Sequence, residues 1–276
     1  MVVTGSHEVR LIRMGLDGRS DRHDLVAVEE PMEVLEVRVN GAPFAVIMRT
    51  PGSDRELAAG FLLAEDVVRG SHELGLIEHC QDAGEEGRDN TLNVTVTGEA
   101  VERLASRLGE RRQVTMTAAC GLCGRRTIAS LRARVASANG RWHVSAAVVK
   151  GLPHTLRQAQ DGFQTTGGVH AAGLFSLDGA LEVIAEDVGR HNAVDKVVGR
   201  RLLEDRLPLD RTMLAVSGRT SFELVQKTLL AGIPLIASVS APSSLAIELA
   251  QESGVTLCGF VRGDTFNIYS HPERVV

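Results

Sequence analysis

From Met213 onward the sequence alternates strand-sized apolar runs with stretches of helical spacing. Met213 to Val216, Leu235 to Val239 and Val255 to Phe260 read as strands, and Thr220 to Leu230 and Ser244 to Gln251 read as helices between them. Strand–helix–strand order requires parallel pairing through right-handed crossovers. This constrains the second half of the chain to an α/β architecture. It also sends three following loops to one edge of the sheet: Ser217-Gly218-Arg219, Ser240-Ala241-Pro242-Ser243 and Val261-Arg262-Gly263-Asp264. Open α/β sheets bind ligands at that edge. Two of the loops lead into helix N-termini, whose free N–H groups favour anions such as phosphate, and Arg219 and Arg262 add positive charge. On sequence alone a second reading stands beside this one, in which Gly218 and Gly263 are tight-turn residues and the arginines are merely solvated.

The first half reads as mixed α and β. Val34 to Val39 and Phe44 to Met48 are β-rich runs around Asn40-Gly41, a hairpin signal. Ser53-x-x-Glu56 reads as a capping box ahead of a helix continuing to Val68, and Thr220-x-x-Glu223 as another. Gly84 to Asn90 is the best candidate for a mobile loop. Leu92, Val94 and Val96 alternate as in a half-buried strand, and Ala100 to Leu108 is helical in spacing. Further on, helices are expected over Thr127 to Val135, Val148 to Phe163 and Asn192 to Leu203. Ala172 to Ser176 should pair with Leu181 to Ala185 across Asp178-Gly179. The expected division is a flexible segment over 1–24, a mixed α+β portion over 25–112 and an α/β core over 113–276, with the last two able to form one domain.

With 276 residues, 43% of them hydrophobic and 24% charged, the chain can bury a substantial core. Its longest apolar runs, such as Gly232 to Val239, fall far short of the ~20 residues a bilayer helix needs. The first residues carry charges and no apolar signal-peptide region, so a cytoplasmic protein with no membrane association is expected. A net charge of −5 gives no general case for nucleic-acid binding. The charge is uneven, with Leu25 to Ala100 strongly acidic and Val101 to Val135 rich in arginine.

Four cysteines in a chain this long do not make a disulfide scaffold. Cys120 and Cys123 alone are closely spaced, in Thr-Ala-Ala-Cys-Gly-Leu-Cys-Gly-Arg-Arg. Glycines leave the thiols approachable, and Arg125, Arg126 and an expected helix start favour thiolate over thiol. Such a pair can pass sulfur by exchange or through a persulfide. A structural zinc site would need two further ligands, for which His79 and Cys80 are poor candidates, and a thioredoxin-like pair would be expected early in a βαβ unit. Cys258 lies in an apolar run and reads as a buried small hydrophobe. His170 and the run Asp187, Arg190, His191 and Asp195 could bind a polar ligand or handle a proton, or could form a helix-capping and salt-bridge cluster. His170-x-Ala172 lacks the glutamate of the H-x-E deaminase signature, which argues against deaminase catalysis.

Five ordered motifs resemble the formate dehydrogenase accessory sulfurtransferase family, FdhD: Cys120-Gly-Leu-Cys123-Gly, Thr166-Gly-Gly-Val-His-Ala-Ala172, Asp187-Val-Gly-Arg-His-Asn-Ala-Val-Asp-Lys196, Ser217-Gly-Arg-Thr-Ser-Phe-Glu223 and Phe260-Val-Arg-Gly-Asp-Thr-Phe-Asn-Ile-Tyr269. The resemblance implies a cytidine-deaminase-like three-layer sandwich with a mixed sheet, plus a smaller mixed α+β N-terminal portion, usually paired as a homodimer. It implies a sulfur carrier that accepts sulfane sulfur from a cysteine desulfurase. The acceptor would be a molybdenum or tungsten bis(molybdopterin guanine dinucleotide), destined for formate dehydrogenase. Cys120 would carry the persulfide and Cys123 would assist its relay or release, with no resident metal. Phe260, Val261, Arg262, Gly263, Asp264 and Thr265 would match the cofactor-binding stretch, with Ser217, Arg219 and His191 joining them from the same sheet edge. Two other functions remain open at this stage, a maturation chaperone that holds the cofactor without covalent chemistry and a zinc-dependent nucleotide hydrolase.

Overall fold

The structure, a computed structural model, describes residues 6–15, 18–27, 34–80, 89–111 and 142–276, with side chains placed for 34–80, 89–108 and 142–276. Cys120, Cys123, the expected helix over Thr127 to Val135 and most of Gly84 to Asn90 lie outside the described residues.

Strands β1 (Ser6–Gly15) and β2 (Gly18–Ala27) pair antiparallel as a hairpin, so a hairpin stands where a flexible start was expected. Strands β3 (Val34–Val39), β4 (Ala42–Met48), β5 (Leu74–His79) and β6 (Thr91–Val96) form a four-stranded sheet in the order β4-β3-β6-β5. The expected turn joins β3 to β4: Asn40 and Gly41 have φ of 49° and 81°, the left-handed values a two-residue hairpin loop demands. Leu92, Val94 and Val96 all face the core, and helix α2 (Glu99–Arg111) follows them.

Helix α1 (Asp54–Ala64) starts where expected but without the expected capping box. Ser53 is its N-cap, but a φ of 55° turns the residue into the left-handed region and its hydroxyl caps nothing. Asp54 instead takes a bidentate ion pair from Arg49, at 2.9 and 3.0 Å, in a buried setting.

The expected helix over Val148 to Phe163 is two helices, α3 (Ala146–Gln158) and α4 (Asp161–Thr166). The break has a tertiary cause. Glu186 reaches across from a neighbouring strand and accepts hydrogen bonds from the backbone N–H groups of Gly162 (2.7 Å) and Phe163 (2.8 Å), anchoring a new helix start there.

Strands β7 (His170–Ser176), β8 (Leu181–Asp187), β9 (Thr212–Val216), β10 (Leu235–Ser238), β11 (Thr256–Arg262) and β12 (Thr265–Ser270) build a six-stranded mixed sheet in the order β12-β11-β10-β9-β7-β8. The three strands expected to be parallel, β9, β10 and β11, are so, and β7 runs antiparallel to both β8 and β9. Helices α5 (Arg190–Leu203), α6 (Phe222–Leu230) and α7 (Ser244–Ser253) connect them.

Alternation divides the sheet into two apolar faces. Leu214, Val216, Ile236 and Leu257 pack with α5, α6 and α7, and that cluster continues through α1 to the four-stranded sheet. Met213, Ala215, Leu235, Ala237 and Cys258 pack beneath α3 on the other face. The result is the expected three-layer sandwich with a mixed sheet and a smaller α+β portion, the two portions sharing one of their cores.

Candidate functional site

The carboxyl ends of β8, β9, β10 and β11 and the amino end of β7 meet at one edge of the six-stranded sheet. On the β7–β9 side, Ser217 bridges the strands: its N–H donates to the Ala171 carbonyl (3.0 Å), and its Oγ accepts from the Ala171 N–H (2.9 Å) and lies 3.4 Å from His170 Nδ1. Gly218 packs closely here: a β-carbon would stand 3.2 Å from Arg190 Cδ and 3.4 Å from His170 Nδ1, so either side chain would have to give slightly. Partial burial and the nearby charges of Arg190 and His191 push the His170 imidazole below its ordinary pKa, favouring the neutral ring.

His191 stands at the start of α5. Its Nε2 lies 2.9 Å from Glu223 Oε2 and 3.1 Å from Ser221 Oγ. Both contacts use the same ring nitrogen, so these residues do not form a serine–histidine–carboxylate relay, which needs one partner on each nitrogen. The hydrogen bond from His191 holds the Glu223 carboxyl below the usual carboxylate range. The second expected capping box therefore does not form: the N-cap of α6 is Ser221, its hydroxyl serves His191 rather than the helix, and Glu223 has a tertiary partner.

The acidic members of the Asp187–Asp195 run turn inward. Asp187 is fully buried against Lys196 Nζ at 2.7 Å and accepts from Gly189 N–H and Asn192 Nδ2, both at 2.8 Å. Asp195 is held by Lys227. Arg190 and His191 remain at the edge. The Nε of Arg190 is shielded from solvent and has no hydrogen-bond partner among the described residues, while its charge helps to lower the Glu223 carboxyl.

On the β11 side, Phe260 is 39% exposed in a left-handed conformation (φ 52°), costly for a bulky side chain and of a kind that concentrates at functional sites. The Arg262 guanidinium lies 5.9 Å from its ring centroid and donates from Nε to the Val239 carbonyl at 2.6 Å. Gly263 and Asp264 make the turn into β12, and Asp264, Thr265 and Arg219 are exposed. Val261 departs from the expected stretch: its side chain is buried beneath α3, so only its backbone is at the edge. The structure thus brings Ser217, Arg219 and His191 to the same edge as Phe260 to Thr265, two strand spacings or ~10 Å away across β10.

Sequence reasoning named Arg190 in the run Asp187 to Asp195 as able to bind a polar ligand, but did not single out Glu223 as a site residue. The signal for Arg190 was its place beside His191 just after Gly189; for Glu223 the local capping pattern pointed elsewhere. Among the described residues, no three His, Cys, Asp or Glu side chains are grouped to hold a metal, and His79 faces Asp54 at 3.5 Å. The free thiols among them, Cys80 and Cys258, are both buried, and burial pushes the Cys258 thiol up to about 12. No helix among the described residues is long and apolar enough to cross a membrane.

A three-layer α/β protein with a mixed sheet belongs to the class of open α/β folds whose ligand crevice, where they have one, lies at the carboxyl ends of the parallel strands. The profile of the FdhD/NarQ family matches residues 27–276, and the chain belongs to that family. It is 49% identical to the sulfur carrier protein FdhD of Mycolicibacterium paratuberculosis over 263 residues, covering 92% of this chain and 93% of the relative. It is 47% identical to that of Nocardia farcinica over 268 residues, covering 96% and 93%. A crystal structure from Desulfotalea psychrophila, assigned as a formate dehydrogenase accessory protein, superposes with a TM-score of 0.75 at 25% identity, covering 98% of this chain and 99% of that one.

Proposed function

We propose that this chain is a sulfur carrier that loads sulfur onto the metal–pterin substrate of formate dehydrogenase before that group enters the enzyme. Cys120 is the sulfur-bearing residue. Its thiolate attacks the outer sulfur of a persulfide on a cysteine desulfurase, the desulfurase thiolate leaves, and the sulfur stays on Cys120 as a persulfide with no net redox change. Attack by the Cys123 thiolate on the Cys120 sulfur then forms a Cys120–Cys123 disulfide and expels hydrosulfide to the acceptor. The acceptor is a molybdenum or tungsten bis(molybdopterin guanine dinucleotide), taken as substrate rather than resident cofactor.

The observation that carries this reading is the convergence of Phe260 to Thr265, Ser217, Arg219 and His191 on one sheet edge, with Arg219 and Arg262 exposed there, which suits a large anionic dinucleotide. Membership of the FdhD/NarQ family and the naming of close relatives as sulfur carriers support it. Cytoplasmic location, homodimer formation and docking to desulfurase and formate dehydrogenase belong to the same proposal.

Incubation with a desulfurase and cysteine should add about 32 Da per sulfur to the intact mass, reversed by thiol reductant and lost in Cys120→Ala. Absence of the adduct sinks the covalent mechanism. A Cys120→Ser/Cys123→Ser variant that still matures formate dehydrogenase would turn the assignment to a chaperone that carries the cofactor without covalent chemistry.

A further inference from the structure

We propose, resting on the sulfur-carrier reading above, that an external dithiol must reduce this chain after each sulfur it delivers, so that a dithiol–disulfide exchange reaction stands between one round and the next. Expulsion of hydrosulfide by Cys123 closes a Cys120–Cys123 disulfide, and neither sulfur can then accept a persulfide. Two electrons and two protons have to be returned. Of the four cysteines in the chain, the described residues hold Cys80 and Cys258, both free and both buried. They are the only other thiols in the sequence, and neither is placed to supply those electrons.

Cys258 sits within β11 between two other strands, paired with Ala237 of β10 on one side and Ile268 of β12 on the other. Its side chain is fully buried in the apolar cluster beneath α3, and burial pushes its thiol up to about 12, so at neutral pH it is almost wholly the non-nucleophilic thiol. Cys80 directly follows β5 in the other sheet, where its N–H donates to the Thr91 carbonyl at 2.8 Å and its side chain is buried. Arg38, a cation near enough to feel the charge of that sulfur, is already held by Glu36 in a bidentate pair at 2.9 and 3.1 Å. Thiol–disulfide exchange needs a thiolate with access to the disulfide sulfur. Both buried thiols fail on access, and Cys258 on charge as well. They also stand in separate sheets, so they form no dithiol with each other. The reductant therefore comes from outside, and its chemistry follows from the closeness of the reacting pair. A monothiol that opens the disulfide leaves a mixed disulfide beside the freed cysteine, whose thiolate attacks back at high effective concentration and expels it. A dithiol closes its own disulfide instead, so that one dithiol is oxidised and two cysteine thiols are regenerated.

Thiol counting on the full chain tests this. The chain is loaded by a cysteine desulfurase and cysteine, freed of both, left to release hydrosulfide, then denatured and alkylated. Intact mass should show all four cysteines alkylated before loading and only Cys80 and Cys258 afterwards, with Cys120 and Cys123 joined. The spent chain should refuse a second sulfur from fresh desulfurase and cysteine. Dithiothreitol, added and removed, should restore all four thiols and a second loading, whereas glutathione at equal thiol concentration should restore about tenfold less. In the folded chain iodoacetamide should leave Cys80 and Cys258 unlabelled, and Cys80→Ala should load, stall and recover as the wild type does. Recovery of all four thiols with no added reductant overturns the proposal while leaving the carrier reading in place. So does a remaining thiol pair other than Cys80 and Cys258, which would reveal an internal exchange. A persulfide that lasts as long in the wild type as in Cys123→Ser overturns it too, because no disulfide has then closed. If no persulfide adduct forms at all, the carrier reading itself falls.

Discussion

His170 shows how one side chain at the edge links stability to pH. Burial is the largest cause of its lowered pKa, Arg190 and His191 add repulsion, and Asp187 opposes them more weakly. In the window just below the ordinary value of 6.5 the unfolded chain binds a proton that the folded chain rejects, so stability is full above that value and falls as the pH drops through the window. Glu223 is also lowered, chiefly by its hydrogen bond with His191: its stabilising contribution is present above 4.5 and is lost only as the pH falls through its lower folded value. The two effects are separable. Replacing His170 with Asn should flatten the dependence of urea-unfolding free energy on pH just below 6.5 while leaving the steeper acid limb. An unchanged slope in that window would mean the imidazole is not excluded from protonation. Which residues reach this edge was partly legible: Ser217 and His191 follow from motifs next to strand and helix ends. The run Asp187 to Asp195 was read as one cluster, and only the structure divides it, committing Asp187 to Lys196 and leaving Arg190 and His191 at the edge.

Among the helices, α1 and α5 cross so closely that backbone meets backbone. A β-carbon on Gly199 would overlap the Glu56 carbonyl oxygen and the Gly60 nitrogen, and one on Gly60 would overlap the Asp195 carbonyl. Two effects compete in Gly199→Ala: alanine favours the helix by roughly 1 kcal/mol, whereas the overlap requires the helices to separate, costing about 1–3 kcal/mol or more. The overlap should win because neither partner is a side chain that can rotate away. Gly151 in α3, with nothing within 4 Å of its would-be β-carbon, supplies the contrast. Gly151→Ala should raise the melting temperature slightly and Gly199→Ala should lower it; a rise in both would show that the crossing relaxes freely. Elements were legible where their determinants are local. The turns at Asn40-Gly41 and Asp178-Gly179 stand where the sequence put them, as do the parallel strands. Their boundaries and caps were less so. Ser53 and Thr220 fit the S/T-x-x-E pattern, but Glu223 is captured by His191 and Ser53 is held left-handed, so the local preference is overridden by tertiary partners. The same holds for the break between α3 and α4, set by Glu186 from a distant strand.

At the scale of the molecule, the loop between β4 and α1 ties the two sheets together. Thr50 donates its N–H to Asp187 Oδ2 (3.1 Å), accepts from the Val188 N–H on Oγ1 (2.9 Å) and accepts from Lys196 Nζ on its carbonyl (2.8 Å), while Asn192 Nδ2 donates to the Met48 carbonyl (2.6 Å). The Asp187–Lys196 pair is thus the polar centre of a contact that also fixes where α5 begins, and with it Arg190 and His191. Because the apolar core is continuous across this contact, the two portions should unfold together. Lys196→Met leaves the Asp187 charge buried without its partner, a change that typically costs about 3–5 kcal/mol. For a chain of this size that predicts a melting temperature lower by roughly 6 °C or more in a single transition, with part of the loss recovered by adding Asp187→Asn. Two separate transitions in Lys196→Met, one followed by hydrogen exchange in β3 and β6 and the other in β9 and β10, would show instead that the junction merely joins two independently stable units. In that case the edge at the ends of β7 to β11 would depend on the six-stranded sheet alone, and hydrogen exchange in β9 and β10 should stay slow after the smaller portion has melted.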